Sequence, residues 1–299
     1  MGRPTANRPV TTRVTAGSDP SGLDRRALRP DDAVSLVGLS GDAGWNQTED
    51  DWRLMLELGE GFGYWQSETP VATALILPYG SQFAWLSMVL VAEAWRRQGL
   101  ASRLTEVCLK RARALGLALR LDATDTGRAV YRRFGFTDQY TFTRFAADRP
   151  TVGNEATADV RTATVDDLDA IAAYDAASFG AGRKAVLTAL LKGRSSLGWV
   201  SDANDACAGF VLGRDGCRAI QFGPLVADDT PTAIALAAAA LRDLRERVFV
   251  DVIDGRDDFL SWLAEAGFVP QRQFTRMSLD EPAFDPPPAS FVVAGPEFG

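Results

Sequence analysis

The chain has 299 residues with 46% hydrophobic and 24% charged residues, a balance typical of one large or two ordinary globular domains. Its net charge of -7 argues against a general nucleic-acid binder, whose footprint is basic. The absence of histidine excludes Ser-His-Asp and Cys-His catalytic groups and any histidine metal site, and the three cysteines form no CxxC pair.

The N-terminal residues predict a flexible arm rather than a targeting signal. Residues 1–23 are rich in Pro, Thr, Gly and Arg and show no periodicity. They lack the apolar stretch of a secretory signal, and no later segment reaches the length of a membrane span. We therefore expect a cytoplasmic protein whose ordered part begins near Leu23–Leu28.

The apolar pattern after this arm predicts alternating helices and strands. Helices are expected at Asp31–Leu39, Asp50–Leu58, Ala101–Leu115 and Gly127–Phe134, and strands at Pro70–Pro78, Phe83–Val91, Leu117–Leu121 and Thr137–Phe145. The strand at Phe83–Val91 is nearly continuously apolar, as a central strand would be. Gly135 follows the last helix in the usual C-terminal position of glycine. This order predicts an α/β fold on a mixed sheet.

The second half of the chain repeats the first. "FTDQYTFTR" at Phe136–Arg144 and "FVPQRQFTR" at Phe268–Arg276 each follow a glycine and share Gln and Phe-Thr-Arg at the same offsets. Upstream, "RLDAT" resembles "FVDVI", "VAE" resembles "VAD", and "RALRPDDAVSLVGL" resembles "VRTATVDDLDAIAAY". Four matches in one order predict two copies of one domain.

The repeat sets the expected domain boundaries. The copies are predicted at residues 24–148 and 158–281, and a polar linker that contains proline and glycine is predicted at residues 149–157. Residues 282–299 are rich in proline. We expect this tail to wrap the surface or to fray.

The stretch "VAEAWRRQGLASRL" at Val91–Leu104 joins a strand to a helix. The first turn of a helix has unpaired N–H groups and the positive end of the dipole, while Gly99 and Ala101 leave space and Arg96 and Arg97 add charge. These features suit a pyrophosphate site, although an ordinary loop that enters an exposed helix is the alternative. The stretch matches neither the P-loop nor GxGxxG.

The pattern R-x-x-G-x-A after a strand that ends in valine resembles the coenzyme A loop of the GNAT acetyltransferases. In the commoner form, V-x-P-x-Y-R-x-x-G-x-G/A, a proline stands where this chain has Glu93 and a tyrosine where it has Trp95. "YRRFGF" at Tyr131–Phe136 resembles the family's Y-x-x-x-G-F. "AGWNQTEDDW", "LPYG" and "LDATDTGRAVYRRFGF" look like its tandem-domain branch, and the resemblance runs from about Leu28 to Leu279.

The resemblance implies two tandem domains, each a mixed, mostly antiparallel sheet flanked by helices, with acetyl-CoA as cosubstrate and no metal. It implies that backbone groups of Val89–Val91 pair with the pantetheine arm like an added strand, and that an amide there stabilises the thioester oxyanion. The expected cofactor-binding residues are Val89, Leu90, Val91, Arg96, Arg97, Gln98, Gly99, Leu100, Ala101 and Ser102.

Tyr131 is the expected catalytic residue. The family places this hydroxyl near the thioester sulfur, where a neutral phenol can protonate the departing thiolate. The alternative is an aromatic ring that packs on the sheet. In the second copy Leu263 stands at this position, Pro231 at that of Arg96 and Ile234 at that of Gly99. The second copy should therefore not bind coenzyme A, and instead completes the acceptor pocket or stabilises the fold.

Residues of the helical entry region line the acceptor site in this family. The corresponding candidates are Trp45, Asn46, Gln47 and Trp52, with Tyr79 as a further one. A helix cap with core tryptophans explains the same residues. Asp122 recurs as Asp251 and Arg144 as Arg276. Because the second copy lacks the cofactor loop, this repetition favours a structural role for these four residues.

These features predict an acetyl-CoA-dependent N-acetyltransferase in which the primary amine of a small molecule attacks the thioester directly. The alternatives are a GNAT-fold enzyme that uses another acyl-CoA and a non-enzymatic acyl-CoA sensor or partner module. We expect no nucleic-acid or membrane partner. A monomer is favoured over a dimer, because two copies in one chain can mimic the dimers of the family.

Overall fold

The computed structural model describes residues 22–153, 160–203 and 206–299. Most of the predicted arm at 1–23 and part of the predicted linker at 149–157 lie outside the described residues. Within these ranges no helix is both long enough and apolar enough to cross a membrane.

The first copy alternates helices and strands in the predicted order. Its elements are β1 (Asp24–Leu28), α1 (Ala33–Asp42), α2 (Glu49–Leu58), β2 (Glu60–Gln66), β3 (Thr69–Tyr79), β4 (Phe83–Val91), α3 (Leu100–Leu115), β5 (Ala118–Ala123), α4 (Asp125–Arg133) and β6 (Thr137–Ala147). The structure adds β1 and β2 to the predicted elements. The hydrophobic alternation that predicts a strand is weak in β2 because glycines occupy two of its positions. Leu28 and Leu56 pack against the backbone at Gly61 and Gly63, and a Cβ at Gly61 would meet Leu56 at 2.8 Å.

The second copy repeats this order and adds one strand. Its elements are β7 (Val160–Thr162), α5 (Leu168–Phe179), α6 (Lys184–Gly193), β8 (Trp199–Ala203), β9 (Ala206–Arg214), β10 (Ile220–Ala227), α7 (Thr230–Leu241), β11 (Val248–Ile253), α8 (Asp257–Glu265) and β12 (Val269–Leu279), followed by β13 (Ser290–Val292). The predicted α/β fold with two copies of one domain is confirmed.

The two copies share one sheet because they exchange their last strands. The order is β1-β2-β3-β4-β5-β12-β6-β11-β13-β10-β9-β8-β7. Strand β12 of the second copy lies between β5 and β6, and β6 of the first copy lies between β12 and β11. The β4–β5 and β10–β11 pairs are parallel, and the other neighbours are antiparallel.

Two buried ion pairs cross from one copy to the other along the exchanged strands. Arg276 of β12 contacts both carboxylate oxygens of Asp122 at 2.9 Å. Arg144 of β6 contacts both oxygens of Asp251 at 2.7 Å. Burial raises the pKa of Asp122, and the Arg276 guanidinium opposes that rise. These contacts support the structural role that the repetition of the four residues predicts.

Helix α3 shows how an amphipathic pattern places an element on the sheet. Leu104, Cys108 and Ala112 recur every fourth residue and are buried against β3 and β4, while Arg103 and Lys110 face outward. Burying one leucine stabilises the fold by roughly 1.5–3 kcal/mol. The packing fixes the direction of α3, so its N-terminus lies at the end of β4.

The prediction that the proline-rich tail wraps the surface or frays is wrong for its last part, which begins at Ser290. Strand β13 enters the sheet between β10 and β11, and both Ala294 and Phe298 are fully buried. Tyr79 donates a hydrogen bond to the carbonyl of Phe298 at 2.9 Å. The reason lies in the sheet: β10 and β11 diverge after their first residues, and the unpaired backbone groups between them need partners.

Candidate active site

A wedge-shaped gap, which we call the first cleft, opens between β4 and β5. The strands pair only over Phe83–Trp85 of β4, and beyond Trp85 no described strand pairs with β4 on that side. Met88 has a φ of 51°, and the register with β3 shifts at this point, so β4 carries a β-bulge. On this side the backbone edge of Val89–Val91 pairs with no described strand, and the Val91 carbonyl accepts a hydrogen bond from Arg96.

The segment after β4 follows this edge to the N-terminus of α3. Residues 92–99 include a short 3-10 turn at Glu93–Trp95, and Arg97 and Gly99 adopt left-handed conformations with φ of 63° and 79°. Gly99 is the N-cap of α3, and no side chain caps the helix. The N–H groups of the first turn therefore remain available, as an anion site requires.

The side chains from the end of β4 to the first turn of α3 differ in their burial and in their hydrogen-bond partners. The Arg96 guanidinium donates to the carbonyl of Val91 at 3.2 Å and Gln98 donates to that of Ala94 at 3.4 Å, so both stabilise the loop itself. Arg97 is exposed and pairs with no described residue. Leu90 and Leu100 are buried, so only their backbone faces a ligand, while Ala101 and Ser102 are half-buried.

Tyr131 of α4 lines a cavity of about 130 Å³ inside the first cleft, together with Met88 and Val89. Its ring packs edge-on against Phe136 at 5.8 Å and lies over Gly127, where a Cβ would approach the ring to 3.2 Å. Its hydroxyl makes no hydrogen bond with the described residues. The ring thus packs on the sheet while the hydroxyl stays available. Burial raises the pKa of Tyr131, so the phenol stays protonated at neutral pH.

The second copy supplies part of the cavity wall. Because β12 lies beside β5, Arg272 and Phe274 reach the cavity of the first copy, and the segment after β13 contributes Pro296 and Glu297. Nothing in the sequence pattern assigns these residues to a site, nor Ser87 of β4, which also lines the cavity. Only the strand exchange and the path of the tail bring them to Tyr131.

The predicted acceptor residues separate into two sets. Trp45 and Gln47 line the cavity. Asn46 instead contacts the segment before β10, since its amide bonds the backbone of Arg218 and Ala219 at 3.0 to 3.1 Å. Trp52 is fully buried and donates to Ser40 at 3.1 Å, and Tyr79 is buried against the tail. The three residues Asn46, Trp52 and Tyr79 do not line the cavity.

A corresponding gap in the second copy, the second cleft, opens between β10 and β11. These strands pair only over Ile220–Phe222, and a register shift with β9 follows at Gly223–Pro224. Strand β13 fills this cleft, with Val292 opposite both Leu225 and Val252. The chain's own backbone occupies the position that is open in the first copy.

The loop that follows also differs between the copies. Helix α7 begins two residues after β10, so Pro231 and Ile234 lie within the helix and not in a loop. The Asp229 carboxylate caps α7 by accepting from the N–H of Thr232 at 2.8 Å. Leu263, at the Tyr131 position, is fully buried. These contacts support the prediction that the second copy binds no coenzyme A.

Comparison with known proteins defines the class. The protein-family model described as "Acetyltransferase (GNAT) family" matches residues 36–136 of the chain. A second family model, described as "Acetyltransferase (GNAT) domain", matches residues 171–289. The chain therefore belongs to the GNAT family, contains two GNAT domains and is an acyltransferase. Family membership favours the enzymatic interpretation over the sensor.

Individual relatives agree with this class. The chain is 21% identical to an uncharacterized N-acetyltransferase, YitH, of Bacillus subtilis (81% of this chain, 86% of the relative). It is 27% identical to a holothin acyltransferase of a Pseudoalteromonas species (70% and 71%). The fold is similar to a putative acetyltransferase from Pyrococcus horikoshii (TM-score 0.75, 22% identity, 93% and 96% coverage). It is also similar to a tandem GNAT protein from the clavulanic acid biosynthesis pathway (TM-score 0.61, 16% identity, 88% and 100% coverage).

Proposed function

We propose that the protein transfers an acetyl group from acetyl-CoA to a primary amine of a small molecule, using the first copy alone. The observation that carries the proposal is the difference between the two clefts. The second cleft holds β13 as an added antiparallel strand, while the equivalent edge of β4 is free. A pantetheine arm with its two amides is the kind of ligand that pairs with such an edge in the manner of a strand.

The residues of the first copy fit coenzyme A along its length. The open backbone of Val89–Val91 would hold the pantetheine arm. The uncapped N–H groups at the start of α3 and the exposed guanidinium of Arg97 would hold the pyrophosphate. A Cβ on Gly99 meets no atom within 4 Å, so a ligand can approach this backbone closely. When bound, acetyl-CoA supplies an acetyl group activated as a thioester.

The chain's own groups then assist direct transfer. The neutral amine forms a C–N bond at the thioester carbon, the C–S bond breaks, and Tyr131 donates its proton to the departing sulfur while the amine loses a proton to water. An N–H on the open edge of β4 donates to the oxygen that gains negative charge. An acyl-enzyme through Cys108 is disfavoured, because burial raises the pKa of that thiol and keeps it protonated.

Calorimetry with coenzyme A and acetyl-CoA tests the proposal. Gly99→Glu places a carboxylate where the pyrophosphate would lie, and we expect the Kd to rise at least a hundredfold, about 2.7 kcal/mol. Gly116→Glu is the matched control, because Gly116 lies at the other end of α3 with a left-handed φ of 70° and open space. Absence of binding to the wild type, or equal binding by both variants, would overturn the proposal.

The acceptor amine is identified by incubating the protein with acetyl-CoA and a library of primary amines and measuring product masses. A second candidate function, transfer of another acyl group, is favoured by the relative named holothin acyltransferase. Parallel reactions with acetyl- and malonyl-CoA separate the two. The acyl-CoA that gives product at the higher rate at equal concentration identifies the acyl group that the protein transfers.

We also propose that a single chain is the working unit in the cytoplasm, without a nucleic-acid or membrane partner. The second copy already completes the cavity of the first through Arg272 and Glu297, so no second chain is needed. Light scattering should give a mass near 32.2 kDa. A stable mass of twice that value contradicts this proposal.

A further inference from the structure

The exchanged strands carry two equivalent rows of polar side chains, each with an aspartate, an arginine and a third residue in register on neighbouring strands. In the first row, Arg276 of β12 lies between Asp122 of β5 and Tyr140 of β6. Arg276 contacts both oxygens of Asp122 at 2.9 Å and donates to the Tyr140 hydroxyl at 2.6 Å. The third residue of this row is thus a neutral phenol that accepts a hydrogen bond from the arginine.

The second row has another arginine in the third place. Arg144 of β6 lies between Asp251 of β11 and Arg272 of β12. Arg144 contacts both oxygens of Asp251 and donates to Gln221 Oε1 at 3.3 Å, and Arg272 has no acceptor to offer it. Like charges directly opposite each other on antiparallel strands are destabilising. The second row therefore has a cation at the place where the first row has a neutral acceptor.

Arg272 lines the cavity beside Tyr131, where it is exposed and forms no ion pair with the described residues. The other charged residues that line this cavity are each in an ion pair and have side chains that are 7% exposed or less, namely Asp122, Arg144 and Glu297. Arg214 pairs with Asp51 as well as with Glu297, but both carboxylates are buried. The charge that a solute meets in the cavity is therefore that of Arg272.

The Arg272 guanidinium is held in place by stacking. Its central carbon lies 4.9 Å from the centroid of the Phe274 ring, which leaves the N–H groups at the edge of the guanidinium available. Although Arg272 is exposed, desolvation of the guanidinium and the nearby charge of Arg144 lower its pKa. Both effects oppose the charged form, which an anion at this place would stabilise.

A second arginine adds positive charge near the wall that Trp45 and Gln47 form. The Arg218 guanidinium donates to the carbonyl of Gly44 at 2.7 Å, next to Trp45 in the chain. Arg218 is exposed and has no ion-pair partner in the part of the chain that the structure describes. Its positive charge also contributes to the lowered pKa of Arg272. Two uncompensated guanidinium groups thus lie at or beside this cavity.

We infer that Arg272 binds a carboxylate, and that the acceptor is an amine that also carries a carboxylate group. The two oxygens of a carboxylate lie in one plane and match two N–H groups of a guanidinium. Within the cavity, one unpaired guanidinium balances one negative charge. The assignment of the carboxylate to the acceptor rests on the proposed function. Carboxylate binding at Arg272 does not.

The probes are benzoate and benzyl alcohol, which share a ring that suits Trp45 and Phe274 and differ in the carboxylate. Binding of each to the full chain at pH 7 is followed by ligand-observed NMR. We expect benzyl alcohol to bind at least fivefold more weakly than benzoate. Equal binding of the two probes, or no binding of benzoate to the wild type, overturns the inference.

Variants of Arg272 separate a binding role from a structural one. Arg272→Gln removes the charge, and Arg272→Tyr copies the third residue of the first row. Both should weaken benzoate binding at least fivefold, and neither should lower the Tm, because the like charge opposite Arg144 is gone. Benzoate binding by Arg272→Gln within twofold of the wild type overturns the inference, and so does a loss of binding only together with a lower Tm.

Arg242→Gln is the matched control. Arg242 is exposed at the end of α7, forms no ion pair with the described residues and lines no part of the cavity. The variant has the same change in net charge as Arg272→Gln. We expect it to bind benzoate within twofold of the wild type. A fivefold loss in this variant would make the effect one of overall charge and overturn the inference.

Calorimetry with acetyl-CoA on the same proteins distinguishes this inference from the proposed function. Arg272→Gln should bind acetyl-CoA within threefold of the wild type, because Arg272 lies on β12 and not in the loop before α3. Equal losses of acetyl-CoA and benzoate affinity would assign Arg272 to the cofactor site and overturn the inference. Acetyl-CoA binding without benzoate binding leaves the proposed function standing and removes the carboxylate site. Benzoate binding without acetyl-CoA binding does the reverse.

Discussion

The two clefts of the sheet have the same construction and opposite contents. In each, two parallel strands pair over three residues and then diverge, and the register with the neighbour on the other side shifts, after Ser87 in β4 and after Phe222 in β10. In the second copy β13 closes the gap with backbone hydrogen bonds, and Pro224 stands at the position of Val89, where it offers no N–H. Divergence of the strands is therefore a property of the fold. The two copies differ in what fills the gap.

The helices that follow the clefts show the same contrast. Helix α7 starts after a two-residue loop, and the carboxylate of Asp229 accepts the first-turn N–H of Thr232. Helix α3 starts after an eight-residue loop, at a glycine that has no side chain to offer. One copy provides its own anion, and the other leaves the start of its helix without a side-chain cap. The predictions below test this contrast, from the largest expected effect to the smallest.

Tyr131→Phe removes the proposed proton donor, at a position where the second copy has Leu263. We expect kcat to fall by about a hundred- to ten-thousandfold, the usual contribution of a general acid, with acetyl-CoA affinity unchanged. Tyr174→Phe is the control, because Tyr174 bonds Ala208 and Asp228 in the second copy. Turnover of Tyr131→Phe within tenfold of the wild type would rule out the acid role.

The pH profile adds a second readout for Tyr131. A pKa raised by burial keeps the phenol protonated up to and beyond its ordinary value of about 10. The wild-type kcat should therefore rise as the amine loses its proton and show no loss from Tyr131 below about pH 10. A decline in kcat near pH 8 that disappears in Tyr131→Phe contradicts this expectation.

Asp122→Asn and Asp251→Asn break the two ion pairs that join the copies. Each leaves an arginine buried without its partner, so we expect each to lower the free energy of unfolding by about 3–5 kcal/mol. Both should retain activity within tenfold at temperatures where they are folded. A far larger loss of activity in Asp122→Asn alone would make Asp122 a catalytic residue, since it also lines the cavity.

Phe291→Ala tests how strongly β13 stabilises the second cleft. Phe291 is 3% exposed and packs edge-on against Phe259 at 5.6 Å, so we expect a loss of about 3 kcal/mol in denaturant unfolding. Phe284→Ala, at a half-buried position before β13, should cost less than half as much. Equal costs would indicate that β13 contributes little to the stability of the sheet.

Asp229→Ala removes the cap of α7. The expected cost is about 1 kcal/mol of stability, measured by thermal unfolding. Calorimetry should still show one coenzyme A site per chain, because β13 continues to fill the second cleft. A second site in this variant would show that the cap, and not β13, excludes the cofactor.

The loop at residues 92–99 and the place of Tyr131 were predictable from sequence because their positions are local. A strand, a short loop and a helix place Gly99 within a few residues of Val91, and the 3.6-residue period of α4 sets Tyr131 over Gly127. The acceptor side was not predictable to the same extent. The sequence makes Asn46, Gln47 and Trp52 equally good candidates for the acceptor site. Of these three, only Gln47 lines the cavity.

The sequence by itself determined two copies of one α/β domain and a glycine-containing loop before a helix in the first copy alone, since repeated spacing and local backbone chemistry are readable in one dimension. The tertiary structure decided the rest. The strand exchange brings Arg272 to Tyr131, and insertion of β13 carries Glu297 to the same cavity. The exchange pairs Ala123 with Thr275, and the insertion pairs Val292 with Leu225 and Val252; these strands are far apart in the chain, and their hydrogen bonds leave no local pattern.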